Sequence, residues 1–180
     1  VTSVGESCFN GCISLKKVTF GEKLGALSGY LFYGCTGLEE VKLPAKLTKI
    51  GYRVFEKCFS LKTVTLPEGL LSISDNVFYS SGIESLTVPG TVKTMDEGAL
   101  QAADCLKEVV ISEGVTTLPP FLFDNCDMLE TVQLPETLTT ISKCAFRSCK
   151  NLKHITLPQS LSTLGEYAFE ETALEELVIP

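Results

Sequence analysis

Apolar residues recur along this chain at a fixed spacing. Phenylalanine sets the register at Phe9, Phe32, Phe55 and Phe78, then Leu100, Phe123, Phe146 and Phe169, in steps of 23, 23, 22, 23, 23, 23 and 23. Three further columns keep step and are apolar in every copy. They run from Val1 through Leu24 to Leu161, from Val4 through Leu27 to Leu164, and from Leu15 through Leu38 to Leu174. With 44% of residues apolar, chance would fill one such column eight times only about once in a thousand trials, and several columns fill together. The frame predicts one domain over 1–180 with rungs at 1–23, 24–46, 47–69, 70–91, 92–114, 115–137 and 138–160 and a partial rung at 161–180.

Each rung carries an in-out-in triplet such as Val41-Lys42-Leu43 or Ile155-Thr156-Leu157. That is strand periodicity, in residues that favour strands. Proline follows six of the eight triplets and stops the strand, because its nitrogen has no hydrogen to donate. One strand per rung, always in the same direction, requires a parallel sheet with crossovers. Crossovers of about 20 residues hold no long amphipathic helix, so the chain must coil as a solenoid in which each rung covers its neighbour's apolar face. A short block such as Cys144-Ala145-Phe146-Arg147-Ser148 suits a single helical or 3-10 turn, with the phenylalanines as an internal spine. Rungs 4 and 8 lack one residue between the Phe and Leu columns, which predicts a surface corner there. Rung 5 departs most, with Leu100, Ala103 and Ser112 in place of the usual Phe, Cys and Pro, and is where irregular curvature is expected.

The stretch Leu138 to Pro158, with Ala145, Phe146, Cys149, Leu152, Ile155, Leu157 and Pro158, resembles the BspA-like class of leucine-rich repeats, and the resemblance extends over the whole chain. It implies an α/β leucine-rich-repeat solenoid. In that fold a right-handed horseshoe has one short parallel strand per rung on its concave face and short helical turns opposite. It also implies a bacterial secreted or cell-surface protein that binds host, matrix or neighbouring-cell proteins.

Charge and composition narrow the chemistry. Fifteen basic and 22 acidic residues leave a net charge of −7, so nucleic acid is not an expected partner. No run of 18 apolar residues is present to span a membrane. A single histidine, His154, excludes sites built on two histidines, and the HExxH, GxSxG, P-loop and GxGxxG motifs are missing. Neither a metal nor a cofactor is expected. Asp124-Asn125-Cys126-Asp127 does not fit the EF-hand spacing and reads as a solvated corner. The chain opens at Val1 in mid-pattern, so further repeats or domains are expected to flank it.

Five of the eight cysteines, Cys12, Cys35, Cys58, Cys126 and Cys149, share one column, three residues after the phenylalanines. A cause common to the repeat follows: each thiol fills core space and donates weakly to a carbonyl. Side chains stacked in register point in parallel, which suits disulfides badly. Cys8, where other rungs have Ala, Leu or Val, reads as core.

The outward triplet positions are the candidate contact surface. Lys17, Glu40, Lys42, Glu108, Gln133, His154, Thr156 and Glu176 are the possible contact residues on this threonine-rich face. The face carries no aromatic anchor of the kind favoured at protein hot spots. The row Thr131, His154, Glu176 is suggestive of a triad, but a flat sheet provides no pocket, and no enzyme is expected. Tyr30, Tyr33, Tyr52, Tyr79 and Tyr167 fall toward the opposite side, as packing or as a second contact surface. Two functions follow: a recognition module for proteins, or a spacer segment of a longer repeat array with no ligand of its own.

Overall fold

A computed structural model describes the whole chain, Val1–Pro180. In chain order the strands are β1 (Lys17–Thr19), β2 (Ala26–Leu27), β3 (Glu40–Lys42), β4 (Lys49–Ile50), β5 (Ser72–Ile73) and β6 (Ser85–Val88). They continue with β7 (Thr94–Met95), β8 (Glu108–Ile111), β9 (Thr117–Leu118), β10 (Thr131–Gln133), β11 (Thr140–Ile141) and β12 (Thr163–Leu164). All pairing is parallel and in register at one repeat, as in Lys17 opposite Glu40 and Ile50 opposite Ile73. The chain is a parallel β-solenoid. On the triplet side β1 pairs with β3, while β6, β8 and β10 pair together with Thr63 bridging onto Ser85.

Two expectations need correction. Four turns, rungs 2, 4, 5 and 6, hold two short strands where one was expected, and the other four hold one. The second lies at the Leu27, Ile50 and Ile73 column and forms the ladder β2-β4-β5-β7. There is also no helix, so the fold is all-β, not α/β. The predicted helical turn is replaced by backbone with two left-handed residues per turn. One column holds Ser7, Tyr30, Arg53, Asn76, Gly98, Phe121, Cys144 and Tyr167. The other holds Gly11, Gly34, Lys57, Ser80, Ala102, Asn125, Ser148 and Glu171. A left-handed non-glycine residue costs on the order of 1 kcal/mol and cannot continue a helix. Inter-turn bonding offsets this. The amides of Tyr30, Phe32 and Gly34 donate to the carbonyls of Tyr52, Val54 and Glu56 at 2.9, 3.0 and 2.8 Å, and those of Arg53, Phe55 and Lys57 repeat the pattern. A helix would satisfy these groups internally; here the stacked neighbour does so and forms a third ladder.

The core lies inside these three ladders. Phe9, Phe32, Phe55 and Phe78 stack at 5.6, 5.7 and 5.4 Å between ring centroids, and Phe123, Phe146 and Phe169 at 5.2 and 5.3 Å. Fully buried Leu100 separates the two stacks. Four of the five column cysteines behave as anticipated, whereas Cys12, on the first turn, is exposed. Cys35, Cys58, Cys126 and Cys149 are buried free thiols whose Sγ donates to the carbonyl of Phe9, Phe32, Leu100 and Phe123 at 3.0–3.2 Å. Burial pushes the Cys126 thiol up to about 12 and raises Cys58 and Cys149 as well, which suppresses thiolate chemistry. Cys8, expected in the core, is exposed on the first turn. Ser81, in the cysteine column of a short rung, has a buried hydroxyl without a partner. What rung 4 lacks is the exposed tip residue, held elsewhere by Ile13 and Phe59, so the shortening does fall at a surface corner.

The irregularity expected at rung 5 sits at its boundary with rung 6. The second ladder stops at β7 and restarts as β9-β11-β12, and no backbone hydrogen bond joins 93–96 to 116–119. Pro119 removes one of the three donors that close this side in other turns. Its column supplies the ladder donor in other turns, as in Ser74 to Ile50 at 3.0 Å, Asp96 to Ile73 at 3.0 Å and Ser142 to Leu118 at 3.0 Å, and proline has no N–H. The other two sides stay closed through β8–β10 and through Gly98 N donating to Pro120 O at 3.0 Å.

Two outcomes are expected. Phe55→Ala should destabilise the fold by about 3–5 kcal/mol in urea unfolding, since it opens a cavity between two stacked rings; a loss below about 1 kcal/mol would place the ring outside the core. In hydrogen exchange the Thr116 and Thr117 amides should exchange well before those of Thr139 and Thr140, which donate to the Thr116 carbonyl. Equal protection would mean that the ladder is closed at Pro119.

Candidate interaction surface

Valine, isoleucine and threonine shape the triplet strands, and inward apolar residues anchor them, so alternate side chains must face water. All eight residues singled out from the sequence are exposed: Lys17, Glu40, Lys42, Glu108, Gln133, His154, Thr156 and Glu176. The structure sorts them into groups. Lys17 Nζ lies 2.8 Å from Glu40 Oε2, and Lys42 is one strand step away on β3. Glu108 lies in a hollow of about 420 Å³ with Thr63, Thr65, Glu68, Ser85 and Thr87. His154, Thr156 and Glu176 line a shallow cavity of about 270 Å³ where the chain forms no strand. Gln133 is the last residue of β10, in register with Val110. No group of three or more His, Cys, Asp or Glu side chains is close enough to chelate a metal ion.

The column on the edge of this face carries a pattern that a search limited to apolar periodicity passes over. It reads Lys16, Glu39, Lys62, Glu84, Lys107, Glu130, Lys153, Glu175, so charge alternates in every copy. Stacking in register sets each residue against its own column, where like charges directly opposite are destabilising. Alternation converts that repulsion into attraction. Lys16 meets Glu39 at 3.0 Å, and Glu84 takes Lys62 at 3.1 Å and Lys107 at 3.4 Å. Exposed pairs of this kind contribute at most about 1 kcal/mol each. The hydrogen bond from Lys62, then the charge of Lys107, holds the Glu84 carboxyl below the usual range.

On the turn side the tyrosines serve each other. Tyr30 meets Tyr52 edge-on at 5.0 Å and Tyr33 at 5.6 Å. The Tyr52 hydroxyl donates to Glu6 at 2.7 Å, and Lys57 Nζ donates to the Tyr33 hydroxyl at 2.7 Å. Asp124, read from the sequence as part of a solvated corner, is fully buried. It accepts from Arg147 at 2.7 and 2.8 Å and from Gln101 at 2.8 Å, which joins three turns. Removing one partner of such a pair leaves the other charge uncompensated, so this side reads as bracing.

The pattern of the BspA type leucine rich repeat region matches the chain in six copies, over residues 1–107 and 72–180. The chain belongs to the BspA-type leucine-rich repeat family. A leucine-rich repeat protein of Bacteroides ovatus is 28% identical, with a TM-score of 0.91 over 100% of this chain and 47% of its own. That of T. pallidum is 29% identical, with a TM-score of 0.79 over 91% and 78%. A leucine rich cell surface protein of Faecalibacterium prausnitzii, at 24% identity and a TM-score of 0.58 over 94% and 61%, shares the fold. The chain thus spans about half the length of the Bacteroides protein. No curated protein matches it by sequence.

Within this BspA-type solenoid, column position predicts neighbours, so the charge ladder can be tested by pH. Glu84 has a folded pKa below its unfolded one. Its ion pairs therefore stabilise the fold above the unfolded carboxylate range, about pH 4.3, and that contribution is lost as pH falls through the lower folded value. Glu84→Gln should lower the urea midpoint at pH 7 and shrink the further drop on acidification. An acid limb identical to that of the unmodified chain would place the effect in other carboxylates.

Proposed function

We propose that the chain is a non-catalytic protein-binding module of a bacterial secreted or surface protein, contacting host, matrix or neighbouring-cell proteins through its triplet face. The observation that carries this reading is the face itself. Inward columns keep one residue class down the solenoid, while outward positions on the same strands change from turn to turn and stay open to water. Membership of a repeat family whose folds present extended surfaces supports it. We take residues 1–180 as one repeat domain within a longer protein.

The spacer reading keeps one observation in its favour: the eight candidate residues divide into separate groups along the face. Binding of purified matrix and host glycoproteins to the chain, and to a variant with alanine at Glu40, Lys42, Glu108 and His154, separates the two. Saturable binding that the variant loses establishes recognition. No binding at tens of micromolar, where even weak specific interfaces register, leaves a spacer.

A further inference from the structure

The triplet face is electrically divided. Its outward positions and the proline turns that follow them carry Lys17, Lys23, Lys42 and Lys46 in the first two rungs, beside Glu22 and Glu40. From Thr63 to Pro180 the same positions hold no lysine or arginine, but they include Glu68, Glu108, Glu113, Glu136 and Glu176. The neighbouring edge column is neutral over this stretch, because its lysines and glutamates alternate, although at rungs 3–5 it sets Lys62 and Lys107 against the single Glu84. Around the hollow at rungs 3–5, Lys62 and Lys107 are both held by Glu84. Glu68 and Glu108, which line that hollow, form no ion pair.

The hollow combines three features. Its walls carry the hydroxyls of Thr63, Thr65, Ser85 and Thr87, its two charges are both carboxylates, and the outward side chain of Val110 contributes apolar surface. An arginine or lysine side chain has the matching form, an apolar stem ending in a cationic donor group. Arginine fits best, because its fork of five N–H donors can serve carboxylate and hydroxyl acceptors together. Resting on the protein-binding reading, we infer that this face, from rung 3 onward, recognises a cationic, arginine- or lysine-bearing segment of its partner protein, with one basic side chain seated between Glu68 and Glu108.

The probe is a fluorescent decapeptide alternating arginine and serine, with a glutamate–serine peptide of equal length as control, titrated by anisotropy. Saturable binding of the basic peptide alone is expected, weakening as salt rises. Joint substitution Glu68→Gln and Glu108→Gln should weaken it by about fivefold or more, as two exposed charge contacts allow. Glu97→Gln, on the turn side, should leave it unchanged. All three positions are exposed, and circular dichroism checks that the variants fold. Three results overturn the inference: no saturable binding, indifference to the double substitution, or an equal loss with Glu97→Gln, which would mean attraction to net charge alone. If a glycoprotein binds and its affinity also survives the double substitution, the protein-binding reading stands and the cationic segment is refuted.

Discussion

Hydrogen bonding from turn to turn is the constraint on which everything else here depends. A strand of two residues has too few partners to persist alone, and a turn with two left-handed residues is unfavourable in isolation. Both exist because the next turn, 22 or 23 residues on, presents its carbonyls and amides at the same height on all three sides. Where the donors of Thr116 and Thr117 go unpaired beside Pro119, the ladder opens on that side alone. The two remaining ladders keep the stack in register.

Registered stacking also explains the chemistry of the columns. Each side chain meets its own column one turn above and below, so a column must be compatible with itself. Phenylalanines satisfy this by stacking, with near-parallel rings. Cysteines satisfy it by donating to a carbonyl one turn back. Charged residues cannot do so with one sign, and the alternation of lysine and glutamate from Lys16 to Glu175 is the solution. Where charges are buried, as at Asp124, the adjacent turn supplies the counter-ion. The outward triplet positions are freest of these demands, and that freedom makes them the surface on which a binding specificity can be written. The absence of lysine and arginine from those positions and the turns that follow them, from Thr63 onward, is therefore informative in a way that the net charge of −7 is not.

Much of this was legible without coordinates. The period, the phenylalanine spine, the inward columns, the strand at five of the eight triplets and the packing role of Cys35, Cys58, Cys126 and Cys149 all follow from the repeat, because stacked turns force chemically similar residues into one column. The charge ladder was equally readable once polar columns are compared alongside apolar ones. Exposure of the eight candidate contact residues followed from strand alternation. Their division into groups did not, since it depends on which turns form strands and where the face hollows.

Tertiary structure alone decided the rest. Two-residue strands such as β4 and β5 are too short for alternation to register, and a block such as Cys144 to Ser148 has the local character of a helical turn. It becomes left-handed backbone at both ends because its amides bond outward to the following turn. Pro119 reads as an ordinary turn residue until its column is seen to be the ladder donor, and Asp124 reads as a surface carboxylate until Arg147 is found above it. The sequence determined which residues line up, because the repeat length alone sets that. The backbone conformation between them was decided by hydrogen-bond partners in the neighbouring turn, which local propensity does not encode.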